Sequence, residues 1–314
     1  MSRLASGAVL AVAMTAPAWV WNPYQLHTLI MAGIFAVLAL SLNLLLGYAG
    51  QLSLGHAAFF GIGAYATALL TVKLECSPWL GLVAAVLLPA AAGWGIGRLA
   101  LKLRGAYFVL LTISFAGVVS LVSLNWMDLT NGPLGLPGIP PVEIALPGLP
   151  AVSLRSKSAY YYVVLAAVVG CYGVCWALVR SRVGRAFVAL RENETLAASV
   201  GIDGTHYLVL AAVISASMAG LGGGLYAHYT RFVSPEVFLF SYTVTMVIMV
   251  VAGGKGTLAG PVVGAVLFTV LPEALRAFTS WQWQMLLYGI VLIAVLFFMP
   301  RGIVPTLLAR SGRA

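Results

Sequence analysis

The stretch HTLIMAGIFAVLALSLNLLLGYAGQLSLGHAAFFGIGAYATALLTV, residues 27–72, decides the class of fold. Two apolar runs, 27–46 and 57–72, are long enough to enter a hydrocarbon core about 30 Å thick. Between them Gln51, Ser53 and His56 stand among glycines. Polar side chains at membrane depth are costly unless they face a protein interior or a wet cavity. The junction therefore reads either as a broken, re-entrant helix beside a pathway, or as packing in which Gln51 and Ser53 are interhelical hydrogen-bond partners.

Outward from this pair, further apolar runs lie at 5–20, 79–97, 106–124, 159–179, 207–228, 238–252, 258–276 and 283–299, about ten in all. Several are shorter than the roughly 20 residues a straight span needs, so half-helices are expected among them. Composition agrees: 61% of residues are hydrophobic, 8% are charged and the mean hydropathy is +1.01. A soluble domain carries roughly 25% charged residues to cover its surface, so this surface faces lipid. The expectation is an all-α, polytopic bundle forming one domain over residues 1–314.

The net charge of +9 is not gathered on one tail or face, as a nucleic-acid binder would have it. It falls in short segments between apolar runs: Arg98, Lys102 and Arg104; Arg180, Arg182, Arg185 and Arg191; Arg301, Arg310 and Arg313. By the positive-inside rule these belong in the cytoplasm. Counting spans then puts both termini inside and the Pro- and Gly-rich segment 125–158 outside, where a rigid loop with little regular structure is expected. That loop is either a contact for an extracytoplasmic protein or a passive cover. Arg3 and Ala16-Pro17-Ala18 outline a signal peptide, but the many later spans favour an uncleaved first helix.

The inner segment SRVGRAFVALRENETLAASVGIDG, 181–204, is too polar to span. Phe187, Leu190, Ala197 and Val200 recur at helical spacing among Arg185, Arg191, Glu192 and Glu194, with Gly201 and Gly204 as stop signals. An amphipathic helix of this kind either docks in the groove of a soluble partner or lies on lipid headgroups.

Enzyme chemistry is not indicated. Gly61-Ile62-Gly63-Ala64 lacks the surrounding βαβ unit of a dinucleotide site, and in Gly253-Gly254-Lys255-Gly256-Thr257 the lysine is followed by glycine rather than Ser or Thr. Cys76, Cys171 and Cys175 form no ligand framework, and His27, His56, His206 and His228 accompany no nucleophile motif. No metal or nucleotide site is expected. Gly93/Gly97, Gly220/Gly224 and Gly260/Gly264 stand one helical turn apart and would permit close helix crossings. An ATP-independent carrier or channel is the rival of a different class, but the chain of intramembrane carboxylates that a proton-coupled carrier uses is missing.

The motifs GYAGQLSLGHAAFFGIGAY, TNGPLGLPGIP, GRAFVALRENETLAASVGID and MVVAGGKGTLAGPVVGAVLFTVLPEALR, in this order over nearly the whole chain, resemble permeases of the branched-chain amino acid ABC transporter family. Within it the chain is similar to the permease type whose first motif reads Ser-Leu-Gly-His, here Ser53 to His56. The resemblance implies an importer in the bacterial inner membrane. Its parts would be a second homologous permease, two cytoplasmic subunits that hold ATP and Mg, and a periplasmic or extracellular solute-binding protein. It also implies that Arg185, Phe187, Leu190, Arg191, Glu192, Asn193, Glu194, Ala197 and Gly201 form the segment coupled to the ATPase. Asn43, Gln51, Ser53, Gly55, His56, Gly253, Gly254 and Gly256 would lie near the translocation route. Permeases for urea, short-chain amides and other small acids are similar in the same motifs.

Overall fold

The computed structural model describes residues 22–100, 106–144, 152–153, 156–276 and 297–310, with 14, 15, 17, 289, 290 and 293–295. The expected spans at 5–20 and 283–299 fall mainly outside these residues. Each of the other eight coincides with a helix.

Helix α1, Pro23–Asn43, starts where the sequence supplies a start: the Asn22 side chain accepts from the Tyr24 N–H, and Pro23 occupies the first turn, where no intrahelical donor is needed. It runs into a wide π-type turn, Leu44–Tyr48. Gly50, with φ +76°, then breaks it. After the non-helical residues 49–55 comes α2, His56–Ala68, which ends in a second π turn, Leu69–Lys73. Helices α3, Pro78–Ala100, and α4, Ala106–Asn125, follow.

The segment after α4 has more regular structure than its Pro and Gly content predicts. A short α5, Met127–Thr130, is closed by Asn131 in the left-handed region and followed by a 3-10 turn, Gly132–Leu134. Strand β1, Leu136–Pro137, then pairs antiparallel with a strand near residue 232, and β2, Glu143–Ile144, pairs with β3, Val152–Ser153. Two-residue ladders suffice here because the φ values of Gly135 and Gly138, +67° and +80°, turn the chain without a Cβ clash.

Helix α6, Lys157–Arg180, leads into α7, Arg182–Glu192, and α8, Glu194–Ser199. Helix α9, Gly204–Thr230, ends at Arg231 and is followed by β4, Phe232–Val233, the partner of β1, and a 3-10 turn, Pro235–Phe238. Then come α10, Phe240–Gly253, α11, Ala259–Arg276, and α12, Ile303–Arg310.

Among the described residues, five helical segments are long and apolar enough to cross a membrane: Pro23–Tyr48, Pro78–Leu99, Tyr107–Asn125, Lys157–Arg180 and Gly204–Thr230. Burial divides them. Within their apolar windows α1 and α9 have 72% and 67% of residues buried, against 28% in α3 and 17% in both α4 and α6. The first two are thus interior helices, and the other three present apolar side chains outward, among them Leu87 and Leu88 of α3 and Leu110, Val118 and Leu121 of α4. An exterior of this composition is stable against hydrocarbon, not water, and the protein is a multi-pass, all-α membrane protein.

Glycines set the spacing of the interior. A Cβ on Gly63 of α2 would strike the Gly220 backbone, and one on Gly223 would strike the Phe60 carbonyl, so α2 and α9 touch through backbone. On the adjoining face of α9, Gly220 lies against the Ala85 carbonyl and the Pro89 ring of α3. Pro89 has no N–H to take up that carbonyl within the helix, and the small Gly220 lets α9 approach it. Gly260 and Gly264 of α11 bring its backbone against that of α10 at Gly253 and Met249. Among the residues packed into this interior are Ile30, Ile34, Leu38, Phe60, Leu225 and Met246, each fully buried.

Candidate functional site

The polar segment 181–204 folds as two helices rather than one. Ser181 caps α7 by accepting from Val183 N and Gly184 N, and Asn193, extended at φ −160°, ends α7 and caps α8 through Leu196 N. A Cβ on Gly184 would meet the backbone of Leu178 and Val179, so α7 folds back closely on the end of α6. Ala186 is buried, and Phe187, Leu190 and Ala197 are buried and pack with Leu44, Leu45 and Tyr48 of the π turn, Ala49 after it, and Leu208 and Ala211 of α9. Val200 departs from the expected series: it is 76% exposed, because α8 ends at Ser199 and Val200 lies just past it, while Ala197 stays on the buried face. Leu196 of α8 is exposed beside it, and Arg182, Arg185 and Glu192 are exposed on α7. Glu194 opens α8, and Gly201, at φ +85°, closes it.

Arg191 reaches back from the end of α7 into the bundle. Its Nη1 donates to the Gly47 carbonyl at 2.7 Å, while Nη2 pairs with Glu192 Oε1 at 2.5 Å. Its aliphatic stem lies over Gly50, where a Cβ would stand 2.7 Å from Arg191 Cγ. The carbonyl of a π turn is available for this bond because the turn spoils the regular i→i−4 ladder.

The same turn is joined to the glycine loop between α10 and α11. Asn43, 1% exposed, donates from Nδ2 to the Thr257 carbonyl at 2.9 Å and accepts the Gly256 N–H on Oδ1 at 2.9 Å. Gly256 has φ +75° and lies beside both Gly47 O and the Arg191 guanidinium. Gly254, at φ +123°, packs on Pro305, and Gly302 at the start of α12 fits against the Gly253–Gly254 backbone. Asn43, Gly253, Gly254 and Gly256 are thus in one node with Arg191, at the end of the bundle where α7 sits. Gly47 and Thr257 belong to that node as well. Sequence reasoning did not assign them to a site, because Gly47 contributes only its carbonyl and the Thr257 hydroxyl bonds only locally, to Gly254 O and Gly260 N.

Gln51, Ser53, Gly55 and His56 occupy a second place, the break between α1 and α2. Non-helical backbone in a membrane protein must be satisfied by protein, and here it is: Gln51 N donates to Leu45 O, Leu54 N to Thr112 Oγ1, and Ala57 N to Thr243 Oγ1. A Cβ on Gly55 would overlap the Thr112 carbonyl, so α4 crosses α2 at this point. His56 is fully buried, with Nε2 2.8 Å from Ser41 Oγ, and Ser215 Oγ donates to the Ser41 carbonyl at 2.6 Å. Ser53 Oγ and His56 Nδ1 are buried without a hydrogen-bond partner. Gln51 is half-buried. Ser41, Thr112, Ser215 and Thr243 complete this place. The available signal was a lone hydroxyl within an apolar run, the commonest form of polar glue between helices.

Neither place unites a nucleophile, a base and an oxyanion donor. Among the described residues no three of His, Cys, Asp or Glu come together as metal ligands. The first place is a structural junction: α7, the end of α1, the α10–α11 loop and the start of α12 are joined through Arg191, Asn43 and the glycines at 47, 253, 254, 256 and 302.

Residues 24–296 match the family model described as branched-chain amino acid transport system / permease component. The chain is 34% identical over 308 residues to the high-affinity branched-chain amino acid transport system permease protein LivM of Salmonella typhimurium, covering 90% of this chain and 72% of that one. It is 32% identical over 321 residues to LivM of Escherichia coli, covering 95% and 74%. To the LivH permease of Salmonella typhimurium it is 25% identical over 295 residues, covering 87% and 92%. No solved structure matches it significantly. A family match over most of the chain, together with an all-α multi-pass bundle, makes this protein a member of the branched-chain amino acid transport system permease family.

Proposed function

We propose that this chain is a membrane-spanning permease subunit of an ATP-driven importer of branched-chain or related amino acids in the bacterial inner membrane. Its companions are a second homologous permease, two cytoplasmic subunits that bind and hydrolyse ATP with Mg, and an extracytoplasmic solute-binding protein. Both termini and the 181–204 segment lie on the cytoplasmic side, and 125–158 lies outside, in a bundle of about ten spans. The relatives named LivM and LivH support a pair of permeases, and the exposed face of α7 and α8 suits contact with an ATPase. Closure of the ATPases displaces α7, and the bundle opens alternately to either side.

The observation that carries this reading is the bond from Arg191 to the Gly47 carbonyl, one step from Asn43 and the Gly256 loop. A helix that merely rested on lipid headgroups would need no charged side chain directed into the bundle. The test uses the intact complex in proteoliposomes. Arg191→Ala should reduce leucine uptake at least tenfold, leave complex assembly intact and leave an ATPase rate no longer stimulated by loaded binding protein. Arg191→Lys, with one donor group in place of a fork, should be intermediate. Uptake by Arg191→Ala equal to that of the parent protein, in an assembled complex, sinks the coupling role.

A further inference from the structure

At the opposite end of the bundle, where α1 and α6 begin and α9 ends, lies a cavity of about 360 Å³. Its walls include His27, Lys157, Tyr160, His228, Tyr229 and Arg231. The volume is that of a small-molecule site, and the lining has an unusual charge balance: among the described residues it contains Lys and Arg but no Asp or Glu.

The two cations are not spent on carboxylates. Lys157 Nζ donates to the Pro23 carbonyl at 3.1 Å, which uses one of its three donors. Arg231 sits in the left-handed region at φ 56°, its backbone N–H closing α9 on Ala227 O, and its guanidinium makes no hydrogen bond or ion pair among the described residues. The amino-terminal ends of α1 and α6 add partial positive charge. The carboxy-terminal carbonyls of α9 oppose an anion, but two full cationic charges outweigh a partial dipole.

Most of the rest of the wall is aromatic, with Pro141 and Thr230 beside the rings. Tyr229 stacks on His27, with ring centroids 5.4 Å apart, and its hydroxyl is 2.6 Å from His27 Nδ1. Tyr160 lies tilted against Tyr229 at 5.3 Å and is pinned by its hydroxyl to the Leu225 carbonyl at 2.6 Å. These rings are held in place before any ligand arrives. A ligand with a carboxylate at one end and an aliphatic body at the other satisfies both halves of the cavity, and the α-ammonium of an amino acid, which meets no carboxylate in the described lining, is left to solvent at the open mouth.

We propose that this cavity is an entry site for the transported solute, in which Lys157 and Arg231 receive its carboxylate and the Tyr160–Tyr229 wall its apolar side chain. The assignment rests on the importer reading given above. The same cationic chemistry would also take the headgroup of an anionic lipid, and the experiment separates the two sources.

Equilibrium binding of labelled L-leucine is measured on the intact complex, without the solute-binding protein, in phosphatidylcholine nanodiscs. Leucine should bind, and leucinamide, which lacks the carboxylate, should bind at least tenfold more weakly. Lys157→Gln and Arg231→Gln should each weaken leucine binding about tenfold, the scale of one lost charge-assisted hydrogen bond. Lys157→Arg should restore it, which separates loss of charge from misfolding. Equal binding of leucine and leucinamide, or unchanged leucine affinity in the double variant, overturns the proposal. So does a double variant that loses co-purifying phosphatidylglycerol while leucine binding is unaltered, since that assigns the anion to lipid. ATP-dependent leucine uptake by the parent complex is recorded alongside: its absence refutes the importer reading, whereas uptake with a carboxylate-blind cavity refutes only this site.

Discussion

Asn43 is a single residue on which two helices depend for register. Its amide is a donor and an acceptor at once, and both functions are used, by Thr257 O and Gly256 N. Leucine has nearly the same shape and neither function. Asn43→Leu should therefore leave the apolar packing of α1 unchanged and orphan two backbone groups, lowering stability by about 1–3 kcal/mol. The expected observation is a lower thermal unfolding midpoint of the purified complex, with ATP-dependent uptake falling further than the amount of assembled protein. Unchanged stability and uptake would show that the glycine loop holds its position without this clasp. Arg191 differs in kind: it is exposed along part of its length and acts on a carbonyl rather than filling a space, so its loss bears on transmission more than on folding.

At the scale of elements the bundle depends on which glycines face another backbone. Gly223 of α9 lies on the Phe60 carbonyl of α2, and a methyl group there has no side chain to push aside. Gly170 of α6 has nothing within 4 Å of its Cβ position. Gly223→Ala should force α2 and α9 apart and reduce the yield of assembled complex several-fold, because overpacking against rigid backbone costs about 1–3 kcal/mol or more. Gly170→Ala should be neutral or stabilise by about 0.5–1 kcal/mol, since it removes only the entropy cost of glycine in a helix. Size-exclusion yield and thermal unfolding of the two variants settle the comparison, and similar behaviour of both would refute the backbone-contact account of the α2–α9 seam.

For the whole molecule, the proposed orientation puts Glu192 inside and Asp128 outside, at opposite ends of the bundle. In a chain with Cys76, Cys171 and Cys175 replaced by alanine, Asp128→Cys should react with a membrane-impermeant maleimide in right-side-out vesicles. Glu192→Cys should react only in inside-out vesicles. The reverse pattern would invert the topology and place the cationic cavity on the cytoplasmic side. The two ends also differ in construction. The end with α7 is joined by glycines and by hydrogen bonds from the Arg191 and Asn43 side chains to backbone, whereas the other has a cavity walled largely by aromatic rings and tied to the 125–158 segment through β1–β4 and the His228–Pro140 hydrogen bond.

Sequence alone determined the class of molecule and the position of most helices, because hydrophobic run length is set by local composition and needs no partner. Eight expected spans coincide with helices for that reason, and the polar 181–204 segment was recognisable as a separate, amphipathic unit. The break at Asn193 was not legible, since periodicity continues through a residue that leaves the helix only when its side chain is used as a cap, and Val200 is exposed because the helix ends one residue before it. The strands near residues 136 and 232 were likewise invisible: two-residue ladders depend on segments nearly a hundred positions apart. Asn43, Arg191 and the Gly256 loop were singled out singly but assigned to two different roles, and folding joined them into one node. Lys157, Tyr160, Tyr229 and Arg231 carry no motif at all. Only the tertiary structure gathers their charges around one cavity, because the field at a point is summed over neighbours in space and the sequence records only neighbours along the chain.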